Sequence, residues 1–158
     1  MSAERKTIGW REWVRLPGLG DAVVKAKVDT GARTSTLHAY DIAELERDGE
    51  QWVSFRFHPN QRDEETEIAA EARVVDRRTI TPSNGQSELR YVVETEVVVD
   101  GEPMVIELTL SRRDAMGFRM LLGRRALHGR FVVDPKRSYR TAESKQVRRR
   151  AKKERASR

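Results

Sequence analysis

Apolar residues along this chain come in short runs rich in valine and isoleucine, broken at close intervals by glycine, proline, aspartate and asparagine. The pattern predicts strands over 8–15, 22–28, 34–39, 51–57, 68–80, 89–99, 104–110, 119–122 and 131–133. Turn signals separate them: Pro17-Gly18-Leu19-Gly20, Asp48-Gly49, Pro59-Asn60, Pro82-Ser83-Asn84-Gly85 and Asp100-Gly101. Many short strands at this spacing imply an all-β domain, an antiparallel barrel or sandwich. Two stretches are compatible with helix. Residues 41–47 hold helix formers but are short enough to be a strand leading into Asp48-Gly49, and residues 123–128 fit one or two helical turns. No internal repeat of 20–50 residues is present.

The 158 residues suffice for one domain with a real core. Charge divides the chain unevenly. Residues 141–158 carry eight basic and two acidic side chains, whereas residues 1–140 carry 23 of each. We therefore expect a domain over 1–140 and a basic, disordered tail over 141–158, which has almost no apolar residues. A solubilising tail and a tail drawn to an anionic partner such as RNA both remain open. Nucleic acid enters only through this tail, which lacks aromatic residues for base stacking. No run approaches the roughly 18 apolar residues of a membrane span, and residues 1–6 are polar, with no signal-peptide core. A cytoplasmic protein without a membrane partner is expected. Absence of cysteine excludes disulfides, thiolate catalysis and thiolate metal sites.

The densest candidate chemistry lies where Lys27-Val28 runs into Asp29-Thr30-Gly31-Ala32. Three small residues follow an acid at a strand end. Thr30 offers a hydroxyl, Gly31 permits close approach of another chain, and Ala32 leaves space, so the carboxylate is held on a tight loop facing a cleft. One carboxylate makes a poor peptidase. Two carboxylates a few ångströms apart cannot both ionise and share a proton. The charged one then takes a proton from a bridging water, and the neutral one hydrogen-bonds the scissile carbonyl. The chain has no second Asp-Thr-Gly or Asp-Ser-Gly, so a twin subunit must supply the second aspartate.

The segment Lys27-Val28-Asp29-Thr30-Gly31-Ala32-Arg33-Thr34-Ser35-Thr36-Leu37 resembles the active-site loop of the retroviral-type aspartic peptidases, the retropepsins. Met120-Leu121-Leu122-Gly123-Arg124-Arg125-Ala126-Leu127 is similar to their second signature, two aliphatics followed by Gly-Arg and a short helix. From residue 8 to 139 the chain more closely resembles a bacterial family labelled putative ATP-dependent zinc protease and better described as retropepsin-like. Gly9-Trp10-Arg11-Glu12, Asp76-Arg77-Arg78, Ser83-Asn84-Gly85, Glu107-Leu108-Thr109-Leu110 and Val133-Asp134-Pro135 carry that likeness beside the two signatures. Members are associated with ATP-grasp ligases that add glutamate to proteins.

The resemblance implies a small closed antiparallel barrel with a flap hairpin and one short C-terminal helix. It implies a homodimeric aspartic endopeptidase with Asp29 as the catalytic carboxylate and Thr30 and Gly31 shaping its loop. Substrate-binding positions would be Ala32, Arg33, Ser83, Asn84, Gly85, Leu122 and Gly123, with Leu121-Leu122-Gly123 supporting the loop from behind. The substrate would be a protein or peptide, a glutamate-rich one if Arg33 receives a substrate carboxylate, and no cofactor is implied. The same fold acting without catalysis, as a peptide-binding or ligase-partner module, is the alternative. One departure stands out. Retroviral enzymes carry an acid after the Ala, paired with the Arg of Gly-Arg, and here Arg33 takes that place opposite Arg124. Arg33 either faces the cleft to receive a substrate carboxylate or is solvated or paired elsewhere.

The hairpin over 68–99, with its tip at 81–87, is the candidate flap, and Arg77, Arg78 and Arg90 near the tip could address an anionic substrate. An ordinary exposed hairpin is the other reading. Zinc finds little support, because His38, His58 and His128 stand 20 and 70 residues apart with no His-Glu-x-x-His. No phosphate-binding Gly-x-x-x-x-Gly-Lys-Ser/Thr loop exists, and neither Ser35 nor Ser83 sits in Gly-x-Ser-x-Gly. Trp10, Trp13 and Trp52 read as core or interface aromatics, and Glu12 between two of them as a buried partner for an arginine.

Overall fold

A computed structural model describes residues 4–80, 85–112 and 117–157. Eleven strands and two helices follow in the order β1 (Lys6–Gly9), β2 (Arg11–Leu16), β3 (Ala22–Asp29), β4 (Ser35–His38), β5 (Tyr40–Arg47), β6 (Glu50–Phe57), β7 (Ile68–Ile80), β8 (Glu88–Val99), β9 (Glu102–Ser111), β10 (Met120–Gly123), α1 (Arg124–Leu127), β11 (Phe131–Asp134) and α2 (Ala142–Ala156). The sheet order β2-β3-β10-β4-β9-β8 closes on itself where Arg15 pairs with Val98, giving a six-stranded barrel. Strands β7, β6 and β5 continue from β8 as an open extension, and β1 pairs with β11 in a separate parallel ribbon.

Period-two burial builds the barrel wall. In β3, Ala22, Val24, Ala26 and Val28 point inward while Val23, Lys25, Lys27 and Asp29 alternate on the outer side. Leu37, Leu108, Leu110, Met120 and Leu122, none more than 1% exposed, meet the inner residues of β2 and β3. Two hairpins turn on Asp48-Gly49 and Asp100-Gly101, where all four residues have φ between 50° and 78°. Such two-residue turns match the right-handed twist of their strands. The stretch 41–47, open between helix and strand from sequence, is strand β5, paired along β6 and ion-paired through Arg47 to Glu71 on β7.

The strand expected over 8–15 is broken at Trp10 into β1 and β2. A side chain on Gly9 would lie 2.3 Å from the Arg137 carbonyl oxygen, so the C-terminal segment crosses directly over this glycine. Trp10 N–H donates to that same carbonyl at 2.9 Å. Glu12 explains the crossing. Its fully buried carboxylate accepts hydrogen bonds from Gly9 N–H (2.7 Å), Arg140 N–H (2.9 Å), Thr141 N–H (3.0 Å) and the Ser144 hydroxyl (2.8 Å). The expected arginine partner is replaced by backbone amides and a hydroxyl, which solvate the carboxylate in water's place.

The segment expected to be a disordered tail from residue 141 is instead helix α2 over Ala142–Ala156, and its first turn docks on the barrel. Thr141 caps α2, and Thr141, Glu143 and Ser144 are buried against the barrel. From Lys145 onward the helix is exposed apart from a half-buried Val147. No helix among the described residues is long and apolar enough to cross a membrane.

Replacing Glu12 by Ala strands three backbone donors in a dry site, each worth about 1–3 kcal/mol. Urea unfolding of Glu12→Ala should therefore show a loss of at least about 3 kcal/mol. A loss below about 1 kcal/mol would mean that water satisfies these donors.

Candidate active site

Asp29 ends β3 on the outer, half-buried side. Directly after it the chain turns back: Ala32 N–H donates to the Asp29 carbonyl at 3.2 Å, and Gly31 N–H donates to Asp29 Oδ1 at 3.0 Å. One carboxylate oxygen is thus fixed by the loop, and the other has no partner among the described residues. Below Asp29, Val28 N–H donates to the Trp10 carbonyl at 2.8 Å, fixing the strand end from the β2 side.

Strand β10 fixes it from the other side. It lies between β3 and β4, parallel to the first and antiparallel to the second, with Gly123 beside Asp29 and Leu121 beside Thr36. The loop joining β3 to β4 must pass over the end of β10. A Cβ on Gly123 would sit 2.4 Å from the Thr34 carbonyl oxygen, so only glycine permits this passage. Gly123 N–H donates to the buried Ser35 hydroxyl at 3.0 Å. Arg124 and Arg125 N–H donate to the carbonyls of Ala32 (2.7 Å) and Arg33 (3.1 Å), and the Arg124 guanidinium reaches the Thr30 carbonyl at 3.4 Å. Each part of the aspartate loop is held through its backbone, which leaves the carboxylate presented outward.

The structure sorts the expected site residues into distinct places. Asp29, Thr30, Gly31, Ala32 and Arg33 form one loop, with Thr30, Gly31 and Arg33 exposed and Ala32 half-buried. Leu122 is fully buried and Gly123 is pressed beneath Thr34, so both support the loop from behind and neither faces a substrate. Gly85 is exposed in the connection between β7 and β8 with φ 83°. Ser83 and Asn84 lie outside the described residues. Arg33 has no ion pair among the described residues, and Arg124 turns to a carbonyl instead of an acid. Arg77, Arg78 and Arg90 are already compensated within the chain, by Glu44 (3.1 Å), Asp76 (2.9 Å) and Glu88 (3.5 Å). That pairing weakens their expected role toward an anionic substrate.

Two contributors escaped the sequence reading. Ser35 acts as an acceptor behind the loop, and the Trp10 carbonyl anchors Val28. A small hydroxyl residue at the start of a buried strand was the only available signal for the first. The three histidines stay in separate surroundings. His38 lies against the Arg112 carbonyl, His58 against the Thr66 carbonyl, and His128 closes α1. No group of three His, Asp or Glu able to hold a metal ion occurs among the described residues. Cavities of about 530 Å³ between Gly18, Phe55 and Ala70, and about 240 Å³ between Thr34, Ile106 and Ala126, do not include Asp29.

A closed barrel with an Asp-Thr-Gly loop braced by an apolar-apolar-Gly strand defines a retropepsin-like domain. Residues 7–144 match the profile of the RimB-like family, described as retropepsin-like aspartic endopeptidase RimB, and the chain belongs to that family. It is similar to proteins named probable alpha-L-glutamate ligase. That of Shewanella pealeana is 48% identical over 88% of this chain and 30% of its own length. That of Desulfotalea psychrophila is 49% identical over 83% of this chain and 28% of its own length. The chain thus spans under a third of these relatives. A crystal structure of a protein of unknown function from Legionella pneumophila superposes with a TM-score of 0.74 at 25% identity, covering 87% of this chain and 98% of the other.

Two glycine substitutions separate support from presentation. Gly123→Ala drives a methyl into backbone and should cost about 3 kcal/mol in thermal or urea unfolding. Gly31→Ala, whose Cβ meets Asp29 Oδ1 at 3.3 Å, should cost less than about 1 kcal/mol. Equal losses would contradict the assigned geometry.

Proposed function

We propose that the chain is an aspartic endopeptidase that works as a homodimer, with Asp29 of each copy forming the catalytic pair. The observation that carries this reading is a half-buried carboxylate at the end of β3, fixed at one oxygen by the Gly31 amide and without a partner at the other among the described residues. A second copy across a two-fold axis supplies the missing carboxylate and the opposite wall of the cleft. The charged aspartate removes a proton from the bridging water, whose oxygen attacks the scissile carbonyl carbon. The protonated aspartate donates to the carbonyl oxygen, and the tetrahedral intermediate collapses as the leaving amine takes a proton. The β7–β8 hairpin serves as the flap that excludes bulk water.

Arg33, exposed in the Asp29 loop and without a counter-ion among the described residues, serves as the receiver of a substrate carboxylate. A glutamate-rich segment is the natural substrate on this reading, and similarity to proteins named probable alpha-L-glutamate ligase supports it. The same similarity favours a second reading, a non-catalytic module that presents acidic peptide to a ligase.

Peptide-library cleavage by wild type and Asp29→Asn tests the first reading. Wild type should cleave, and Asn should reduce the rate by at least about 10³-fold, since it cannot carry the shared proton. Equal rates exclude the aspartic mechanism, and binding without cleavage by wild type supports the module. Arg33→Ala should lower kcat/KM for acidic peptides about tenfold or more while leaving neutral peptides within about twofold. An unchanged acidic preference removes Arg33 from recognition. Sedimentation over a range of concentrations should reveal a dimer, and a strict monomer would leave no pair.

A further inference from the structure

We propose that α2 is a rigid cationic arm that binds the phosphate backbone of nucleic acid without reading sequence. Its root is fixed twice. Glu12 accepts from Thr141 N–H and the Ser144 hydroxyl, and Glu143 accepts from Asp100 N–H (2.6 Å) and Gly101 N–H (3.0 Å) at the β8–β9 turn. Asp100 Oδ1 returns the contact by accepting from Ala142 N–H at 2.9 Å. Beyond this root, residues 145–156 extend about 18 Å at 1.5 Å per residue and are exposed apart from half-buried Val147, so most of the helix projects from the barrel.

The charges on the projecting part are ordered. Lys145, Arg148, Lys152 and Arg155 follow at spacings of 3, 4 and 3 and fall in one row along the helix, with Arg149 and Lys153 beside it. Val147, Ala151 and Glu154 occupy the other side. All of these cations are exposed, and none has an ion pair among the described residues. Like charges at i,i+3 and i,i+4 repel, so the row gains stability from an external polyanion. Residues 1–140 carry no net charge, so the chain's excess of positive charge lies in this arm and the residues just after it. With only Val147 and alanines as apolar residues, α2 lacks the face that would enter a lipid surface. A duplex carries one charge per about 1.7 Å of axis, dense enough to compensate such a row, and the B-form major groove admits a helix.

The test measures fluorescence anisotropy of labelled 20-base-pair DNA and RNA duplexes of mixed sequence with the full chain at several salt concentrations. Four phosphate contacts predict a slope of log affinity on log salt of about −3 to −4. The variant Lys145→Gln, Arg148→Gln, Lys152→Gln, Arg155→Gln leaves the buried root intact, and its thermal unfolding should stay at the wild-type value. It should bind at least tenfold more weakly with a clearly shallower slope, while Arg150→Gln, off the row, should bind within about twofold of wild type. A four-fold variant that folds and binds as wild type, or a wild-type slope near zero with both duplexes, overturns the proposal. So does poly-L-glutamate displacing the duplexes at equal charge concentration, which would make the partner an acidic polypeptide.

Discussion

The architecture turns on one close passage: the backbone of Thr34 lies against Gly123 where β10 ends between β3 and β4. Because β10 separates two strands that are neighbours in sequence, the loop joining them has to bridge its tip. The bridge is the segment carrying Asp29. Strand pairing and the α1 amides on Ala32 and Arg33 act on backbone, and the Ser35 hydroxyl accepts from Gly123 N–H behind them, so the carboxylate's position follows from the barrel's topology. Preorganisation of this kind is what a catalytic group needs, since it holds the carboxylate in place before substrate arrives.

A second constraint operates on the opposite side of β3. Glu12 gathers the turn at Gly9, the C-terminal segment at Arg140 and Thr141, and the first turn of α2 around a single buried carboxylate. Trp10, in the break just before β2, bears the carbonyl that holds Val28. The aspartate loop and the root of the cationic helix therefore share one structural neighbour, and a disturbance at Glu12 would reach both.

Much of this was legible in the residues. Valine-rich runs between turn dipeptides gave the strands, because buried alternation and left-handed turn residues are local signals. Asp29 stood out for the same reason, an acid followed by three small residues at a strand end. What escaped depended on contacts distant in sequence. The break at Trp10 comes from Arg137 crossing Gly9, and Glu12 found amides more than 125 residues away instead of an arginine. Leu122 read as a residue facing substrate because its signature adjoins the site, yet period-two alternation turns it into the barrel. The tail read as disordered because it lacks apolar residues, whereas Thr141, Glu143 and Ser144 dock by hydrogen bonds, which composition does not register.

The central claim is that two Asp29 side chains meet across a symmetry axis, and the chain's lack of cysteine makes it directly measurable. Asp29→Cys introduces the sole thiol, and a disulfide requires Cα atoms within roughly 7 Å. Mild oxidation should convert the dimer to a covalent one, seen on non-reducing gels and lost on reduction. A thiol that stays free while the protein sediments as a dimer would place the two loops apart and contradict the paired-aspartate mechanism.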